Sequence, residues 1–514
     1  MAILFLSACI PVKPQPAIPP IALAPTLLQE SMDSVHLDTD KLSYSKQADL
    51  WQRIRDNFKL GTHHKNSRID SQLNWFKSHQ SYLSRVSERS KRYMFFIMQQ
   101  IEVRGIPAEI ALLPIVESAF DPFAYSHGRA SGVWQFIPST GNAYGLKQDW
   151  WFDGRRDIRR STMAALKFLE GLSREFKGDW MLALAAYNSG AGTVRKAIRK
   201  NRKLGKPLDF WSLSLPKETK AYVPKLLALA KLVASPEKYS VFFPRVENKP
   251  YFAVIETGSQ MDLSQAAQMA DVSLEEIYKL NPQYNQWATS PNGPHEILVP
   301  IEKQNLIRKN LKKLPASQRI KWQRYSVKSG DSLISIAKKF HTTPEALKQV
   351  NPIQGSLVRI SDKLLIPTAF NHLSSYTYSA NNRLNKKQRN TRGAKGSQKI
   401  SHTVKNGDSF WSLAKKHNVS TRSIAKWNGM APKDPIKPGQ KLVIWSKSIF
   451  NKKRDREIIR KIHYRVRNGD SLHRIADKFR VKVRDIKRWN QIGTKKYLQP
   501  GDELVLYVDV TQAS

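Results

Sequence analysis

Three copies of one short pattern fill the second half of this chain, and they restrict its fold more than any other feature. Gly330-Asp331-Ser332-Leu333, Gly407-Asp408-Ser409-Phe410 and Gly469-Asp470-Ser471-Leu472 are followed at one constant interval by Asn351, Asn428 and Asn490. Each Asp-Ser pair is suited to cap a helix, and apolar residues then recur at i, i+3, i+4 and i+7, as in Leu333, Ile336, Ala337 and Phe340. A second short helix is expected around Leu347, Ile424 and Ile486, four residues before each asparagine. Short apolar runs bracket every copy, for example Tyr325-Ser326-Val327 and Leu364-Leu365-Ile366. The expected unit is therefore β-α-α-β, at 323–368, 401–446 and 463–509. The first copy departs at Ile360-Ser361-Asp362, where the others have Pro438-Gly439-Gln440 and Pro500-Gly501-Asp502. A fainter copy at 250–302 keeps Leu263, Ala266, Ala267, Ala270, Ile277 and Asn281 but has lost the Gly-Asp-Ser turn. The stretches 371–400 and 446–462 are polar, basic and without period, so both are read as flexible linkers.

The first half reads differently. From Ser71 to Arg104 apolar residues recur at helical spacing, Gly105-Ile106-Pro107 breaks the pattern, and a new helix is expected over Ala108 to Val116. Residues 128–145 are rich in Gly, Ser and Pro and read as loop, while Ser161 to Phe176 and Asp179 to Tyr187 return to helix. The segment 31–245 is mostly α. Glu117 ends the apolar run from Ile110 to Val116, where burial disfavours its charged form and raises its pKa, as a proton donor at neutral pH requires. A buried, hydrogen-bonded and inert acid is the competing reading. No second acid stands out beside it, since Asp121-Pro122 reads as a turn.

Taken together, Glu117-Ser118, Gly132-x-x-Gln135, Ala186-Tyr187-Asn188 and Glu218-Thr219-x-x-Tyr222-Val223 resemble the ordered signature of lytic murein transglycosylases with a goose-lysozyme-like domain, of the membrane-bound D type. Ala191 departs from the Glu often found there. The repeats resemble the LysM fold, a module that grips N-acetylglucosamine units between two loops. The fold class these resemblances imply is multidomain, a mostly α lysozyme-like catalytic domain followed by small α+β LysM modules. They imply Glu117 as the catalytic acid and then base, attack of the muramyl C6 hydroxyl on C1, and 1,6-anhydromuramyl ends. An intramolecular nucleophile lessens the need for a second carboxylate. They place Ser126 and Gln135 on the sugar, Tyr187 near the Glu117 carboxyl, and Asn188 and Glu218 in support. In the modules they imply glycan contacts from Asp331, Ser332 and Asn351, from Asp408, Ser409 and Asn428, and from Asp470, Ser471 and Asn490. A non-catalytic wall-binding protein and a hydrolytic lysozyme remain as alternatives.

The formal net charge of +43, most of it after residue 302, calls for polyanionic partners. Nucleic acid, cell-wall carboxylates and lipopolysaccharide phosphates all satisfy charge alone; no nucleic-acid readout motif or zinc spacing appears, so no specific nucleic acid is expected. Peptidoglycan glycan strands are the expected partner. No metal or other cofactor is implied, because no His, Cys or Asp cluster has ligand spacing. The single cysteine, Cys9, excludes an intramolecular disulfide. Leu6-Ser7-Ala8-Cys9 resembles a lipoprotein cleavage and lipidation site, although Met1 to Phe5 is short for its apolar stretch, so either the start lies upstream or the anchor is not made. Residues 1–9 are read as signal and anchor, and the Pro-rich 10–30 as a tether reaching on the order of 50 Å at roughly 3.1 Å per residue. Ile10 after the cysteine implies the periplasmic face of the outer membrane, within the cell envelope.

Overall fold

The computed structural model describes residues 48–353, 355–447, 459–493 and 498–509; Cys9 and the tether 10–30 lie outside them. The chain divides into two compact units, one gathering residues up to 391 with 425–435, the other 392–424 with 436 onward.

The first unit begins with helices α1 (Leu50–Asp56), α2 (Ser67–Lys77), α3 (Gln80–Ser90) and α4 (Met94–Val103). The expected helix over 108–116 is two pieces, a 3-10 turn over Ala108–Leu112 and α5 (Leu113–Ser118), because Pro114 supplies no N–H to carry the helical ladder through. The stretch 128–145, read as loop, contains the short helix α6 (Pro138–Ala143), opened by a proline in its first turn. Then come α7 (Ile158–Glu175), α8 (Trp180–Ser189), α9 (Ala191–Lys203) and α10 (Lys217–Ala234). Asp157 and Asp179 cap α7 and α8 by accepting from Arg160 and Leu182 backbone N–H groups. Ile97, Leu112, Leu166, Leu184 and Leu226, one from each neighbouring piece, are buried in one core.

The degenerate copy follows as β1 (Phe252–Glu256), α11 (Leu263–Ala270), α12 (Leu274–Leu280) and β2 (Glu296–Pro300), with Val254 opposite Leu298 in an antiparallel pair. Helix α13 (Gln304–Lys313) extends it. It is fastened to the helical core: Arg92 donates to both oxygens of Glu276 at 2.9 and 2.7 Å, Arg159 and Arg160 meet Glu296 at 3.1 and 2.6 Å, and Asn285 N–H donates to Trp151 O at 2.8 Å. The first full copy is β3 (Lys321–Ser326), α14 (Leu333–Lys339), α15 (Pro344–Val350) and β4 (Lys363–Thr368).

The stretch 371–400 is not a free linker throughout. It carries α16 (Ala380–Asn390), and the residues before that helix are anchored by side chains. Tyr376 Oη donates to Asp262 at 2.8 Å, Tyr378 Oη to Glu275 at 2.9 Å, and Phe123 sits between the Tyr378 ring at 5.1 Å and the Arg383 guanidinium at 4.8 Å. Hydroxyls and one cation hold this segment. Hydrophobic periodicity does not register such anchors.

The second and third copies are β5 (Ser397–Thr403), α17 (Phe410–His417), α18 (Thr421–Trp427) and β6 (Lys441–Lys447), then β7 (Ile459–Arg465), α19 (Leu472–Lys478), α20 (Val483–Trp489) and β8 (Glu503–Asp509). Each β pair is antiparallel, Ile400 facing Ile444 and Ile462 facing Leu506. The doubtful turn of the first copy is retained. Ser361 takes φ 75°, where Gly439 and Gly501 have 82° and 100°, and its N–H donates to Val327 O at 2.9 Å as theirs do to Val404 O and Val466 O. A Cβ is strained in this left-handed region. Ser361→Gly is therefore expected to stabilise the first module by about 0.5–1 kcal/mol, measured as slower hydrogen exchange of the β4 amides; unchanged or faster exchange would refute the strain.

Candidate active site

Glu117 is the penultimate residue of α5, and the chain reverses immediately after it. Ala119 and Phe120 both adopt positive φ, 52° and 54°, a strained pair for residues with Cβ atoms. The reversal is held by the buried Phe120 ring, by Arg89 donating to Ala119 O at 3.3 Å, and by Tyr82 Oη donating to Ile115 O at 3.0 Å. Ser118 Oγ donates to Val133 O at 3.0 Å and ties the helix end to the next loop. These contacts leave Glu117 half-buried at the end of a mostly apolar helix.

Its partner is Tyr222 of α10, whose hydroxyl donates a short hydrogen bond to Glu117 Oε1 across 105 residues of sequence. Burial pushes the Glu117 pKa up to about 7; the Tyr222 hydrogen bond and the Lys225 ammonium pull it down, and the Glu218 carboxylate raises it. Glu218, Tyr222 and Lys225 share one face of α10 at i, i+4 and i+7. Tyr222 and Lys225 carry more of the acid's environment than the sequence reading assigned them, and their shared helical face was the available signal.

Tyr187, expected beside the acid, points its hydroxyl to Trp134 O at 2.8 Å, and its ring packs on Phe168 and Phe136. Burial first and the Glu117 charge second hold its pKa well above the usual tyrosine value, so it stays protonated. Asn188 Oδ1 accepts from Thr219 Oγ1 at 2.8 Å and thereby joins α8 to α10. Gln135 has φ 50° and its amide donates to Gly132 O at 2.7 Å. Gly132 has no alternative, since a Cβ there would lie 2.1 Å from Arg155 O. Ser126 Oγ accepts from Gly128 and Ala130 N–H groups at 3.2 and 3.0 Å, which closes the loop ahead of Gly132. Its hydroxyl hydrogen remains available for a ligand. Among the described residues no cluster of His, Cys, Asp or Glu could hold a metal ion.

In the modules the asparagines turn out to be brackets. Asn351 donates to Leu347 O and Leu365 O and accepts from Leu365 N–H, all at 2.7–2.8 Å; Asn490 does the same with Ile486 and Val505, and Asn281 with Ile277 and Leu298. Asn428 is fully buried. A side chain whose donors are both spent on buried backbone carbonyls is poorly placed to grip a sugar. Asp331 and Asp470 accept from Tyr325 and Tyr464 hydroxyls and from turn N–H groups, Asp408 from Lys405 N–H beside His402, and Ser332, Ser409 and Ser471 cap α14, α17 and α19. These turns remain exposed at their Ser edges.

Residues 94–210 match the transglycosylase SLT domain, 251–316 the LysM-like domain of lytic transglycosylase MltD, and 325–367, 402–445 and 464–506 the LysM domain. Over 423 residues the chain is 37% identical to the membrane-bound lytic murein transglycosylase D of Escherichia coli, covering 80% of this chain and 88% of that one. The chain belongs to the membrane-bound lytic murein transglycosylase D family. The Enterococcus faecalis autolysin is 28% identical over 176 residues, covering 33% of this chain and 22% of its own. Among solved structures the 70 kDa soluble lytic transglycosylase of Escherichia coli aligns at 19% identity and a TM-score of 0.24, over 34% of this chain and 31% of that one. The fold disfavours the charged form of Glu117 by burying it, which has two measurable consequences.

Because the Tyr222 bond lowers the Glu117 pKa, Tyr222→Phe is expected to move the alkaline limb of the kcat/KM profile for strand cleavage to higher pH; a limb that stays or moves down would refute the assignment. The folded pKa lies above the ordinary 4.5, so the stability Glu117 contributes is present at acid pH and lost as pH rises through about 7. Glu117→Gln should therefore stabilise the fold at pH 8 by on the order of 1–3 kcal/mol and change little at pH 4, read from urea midpoints.

Proposed function

We propose that this chain, a lytic transglycosylase acting on peptidoglycan, uses Glu117 as its one acid and base and leaves 1,6-anhydromuramyl ends. The observation that carries this reading is the Glu117 carboxyl, held near neutrality by burial and bonded to a single hydroxyl. Protonated Glu117 gives its hydrogen to the oxygen between N-acetylmuramic acid and N-acetylglucosamine, and the C–O bond breaks as positive charge develops on the sugar ring. The resulting carboxylate, steadied by the Tyr222 hydroxyl, takes the proton of the muramyl C6 hydroxyl as that oxygen closes on C1. Proton and electron pairs balance without water. Ser126 and Gln135 contact the muramyl unit, while Tyr187 and Asn188 hold α8 against the loop and α10. The LysM modules retain the glycan through the Asp-Ser turns at 331–332, 408–409 and 470–471, and several weak modules on one polymer raise local concentration.

Glu218 favours a second reading. It is the one further carboxylate that raises the Glu117 pKa, and a carboxylate pair of suitable separation could activate water. Mass spectrometry of digested sacculi separates the two: the fragments are expected to be one water lighter than hydrolytic products and absent with Glu117→Gln. Reducing-end muramic acid would establish hydrolysis instead.

No helix among the described residues is long and apolar enough to cross a membrane. We place the enzyme in the cell envelope, at the periplasmic face of the outer membrane, tethered through lipidated Cys9. The support is Leu6-Ser7-Ala8-Cys9 followed by the Pro-rich 10–30. Cys9→Ala should move the protein from the membrane to the soluble periplasmic fraction, and retention in the membrane would count against the anchor.

A further inference from the structure

On the helices that meet around Glu117 stand an aromatic and a cation that the reaction above does not use, and both lie outside the matched span 94–210. Trp75, near the C-terminal end of α2, is 40% exposed although the aromatics beside it are packed. Its indole is fixed from below. His79 stacks on it at 4.3 Å and 14°, with Nδ1 bonded to Trp75 O at 2.6 Å, and Tyr82 meets it edge-on at 5.3 Å. The same Tyr82 bonds Ile115 O, two residues before Glu117, so the indole is coupled to the catalytic helix. Lys225, three residues after Tyr222 on α10, has its Nζ 6.0 Å from the indole centroid. Lys225 follows by one helical turn the tyrosine that is bonded to Glu117, and its ammonium acts electrostatically on that acid. Among the described residues Lys225 forms no hydrogen bond or ion pair.

A rigid exposed indole offers apolar ring surface to the C–H side of a pyranose, and a half-buried ammonium nearby that forms no ion pair among the described residues selects what that sugar carries. We propose that Trp75 and Lys225 form a subsite for an acidic sugar unit of the glycan strand, the ring stacked on Trp75 and a carboxylate of its substituent bound by Lys225. This rests on the reading of Glu117 as the cleaving acid. The carboxylate comes either from the lactyl group of a stripped muramyl unit or from an attached peptide. Its recognition adds a charge requirement to a site otherwise read through hydroxyls and amides.

Steady-state cleavage by the full chain tests this on peptide-bearing strands, amidase-stripped strands, and both after their carboxylates are converted to amides. Trp75→Ala is expected to raise KM about five-fold on all four, the size of one aromatic contact, with kcat little changed. Wild type should show a higher KM on amidated than on native strands, Lys225→Met should lose that difference, and Lys225→Arg should restore it. The native strand type on which amidation raises the wild-type KM identifies the source of the carboxylate. If Lys225→Met discriminates as wild type does, or Trp75→Ala leaves KM unchanged, the subsite is refuted. The LysM modules are identical in every variant, so their retention cancels. If wild type releases no 1,6-anhydro ends from any strand, it is the reading of Glu117 that fails, a separate outcome.

Discussion

The hydrogen bond from Tyr222 to Glu117 is the constraint around which the catalytic domain is arranged. It joins the end of a two-turn helix to the second turn of a five-turn helix 105 residues later, so it exists only when the core between them is closed. The apolar run before Glu117 packs that core and by the same act desolvates the acid. Packing and pKa are thus one event. The reversal at Ala119 and Phe120 turns the following loop back toward the acid, and its strain is sustained by Arg89, Tyr82 and a buried ring.

The loop that follows is positioned by material from far down the chain. Phe123 is held by Tyr378 and Arg383, and Arg156 donates to Ser131 Oγ at 2.9 Å and to Asn285 Oδ1 at 3.0 Å. The degenerate LysM-like copy is consequently part of the active-site scaffold. Its ion pairs with Arg92, Arg159 and Arg160 are partly shielded from water, which makes them better fasteners than surface pairs of the same length. A copy that serves as scaffold needs no glycan-binding turn, consistent with its lost Gly-Asp-Ser.

Several features were legible in residue order because they are local. The β-α-α-β units, their serine caps and the apolar stripe of each first helix depend on neighbours within a few residues. The asparagines were equally legible as repeated residues, but repetition does not say which way a side chain faces. Asn351 and Asn490 recur because each braces a helix end against a strand, a requirement of folding that is indistinguishable in sequence from a requirement of binding. The segment 371–400 was misread for the opposite reason: its anchors are single polar contacts to Asp262, Glu275 and Phe123, and none of them produces a period.

By itself the sequence determined that a lone acid ends an apolar helix, that small capped units recur behind it, and that the whole carries a large positive charge. Tertiary structure decided which hydroxyl meets that acid, which of the clustered tyrosines bonds a loop carbonyl instead, and that the Trp75 indole and the Lys225 ammonium come together. The reason is physical. Capping and amphipathic spacing act over one or two helical turns, whereas the field at a carboxyl is set by whatever closes around it, and for Glu117 those groups come from α8 and α10, brought together only by the burial of a common core.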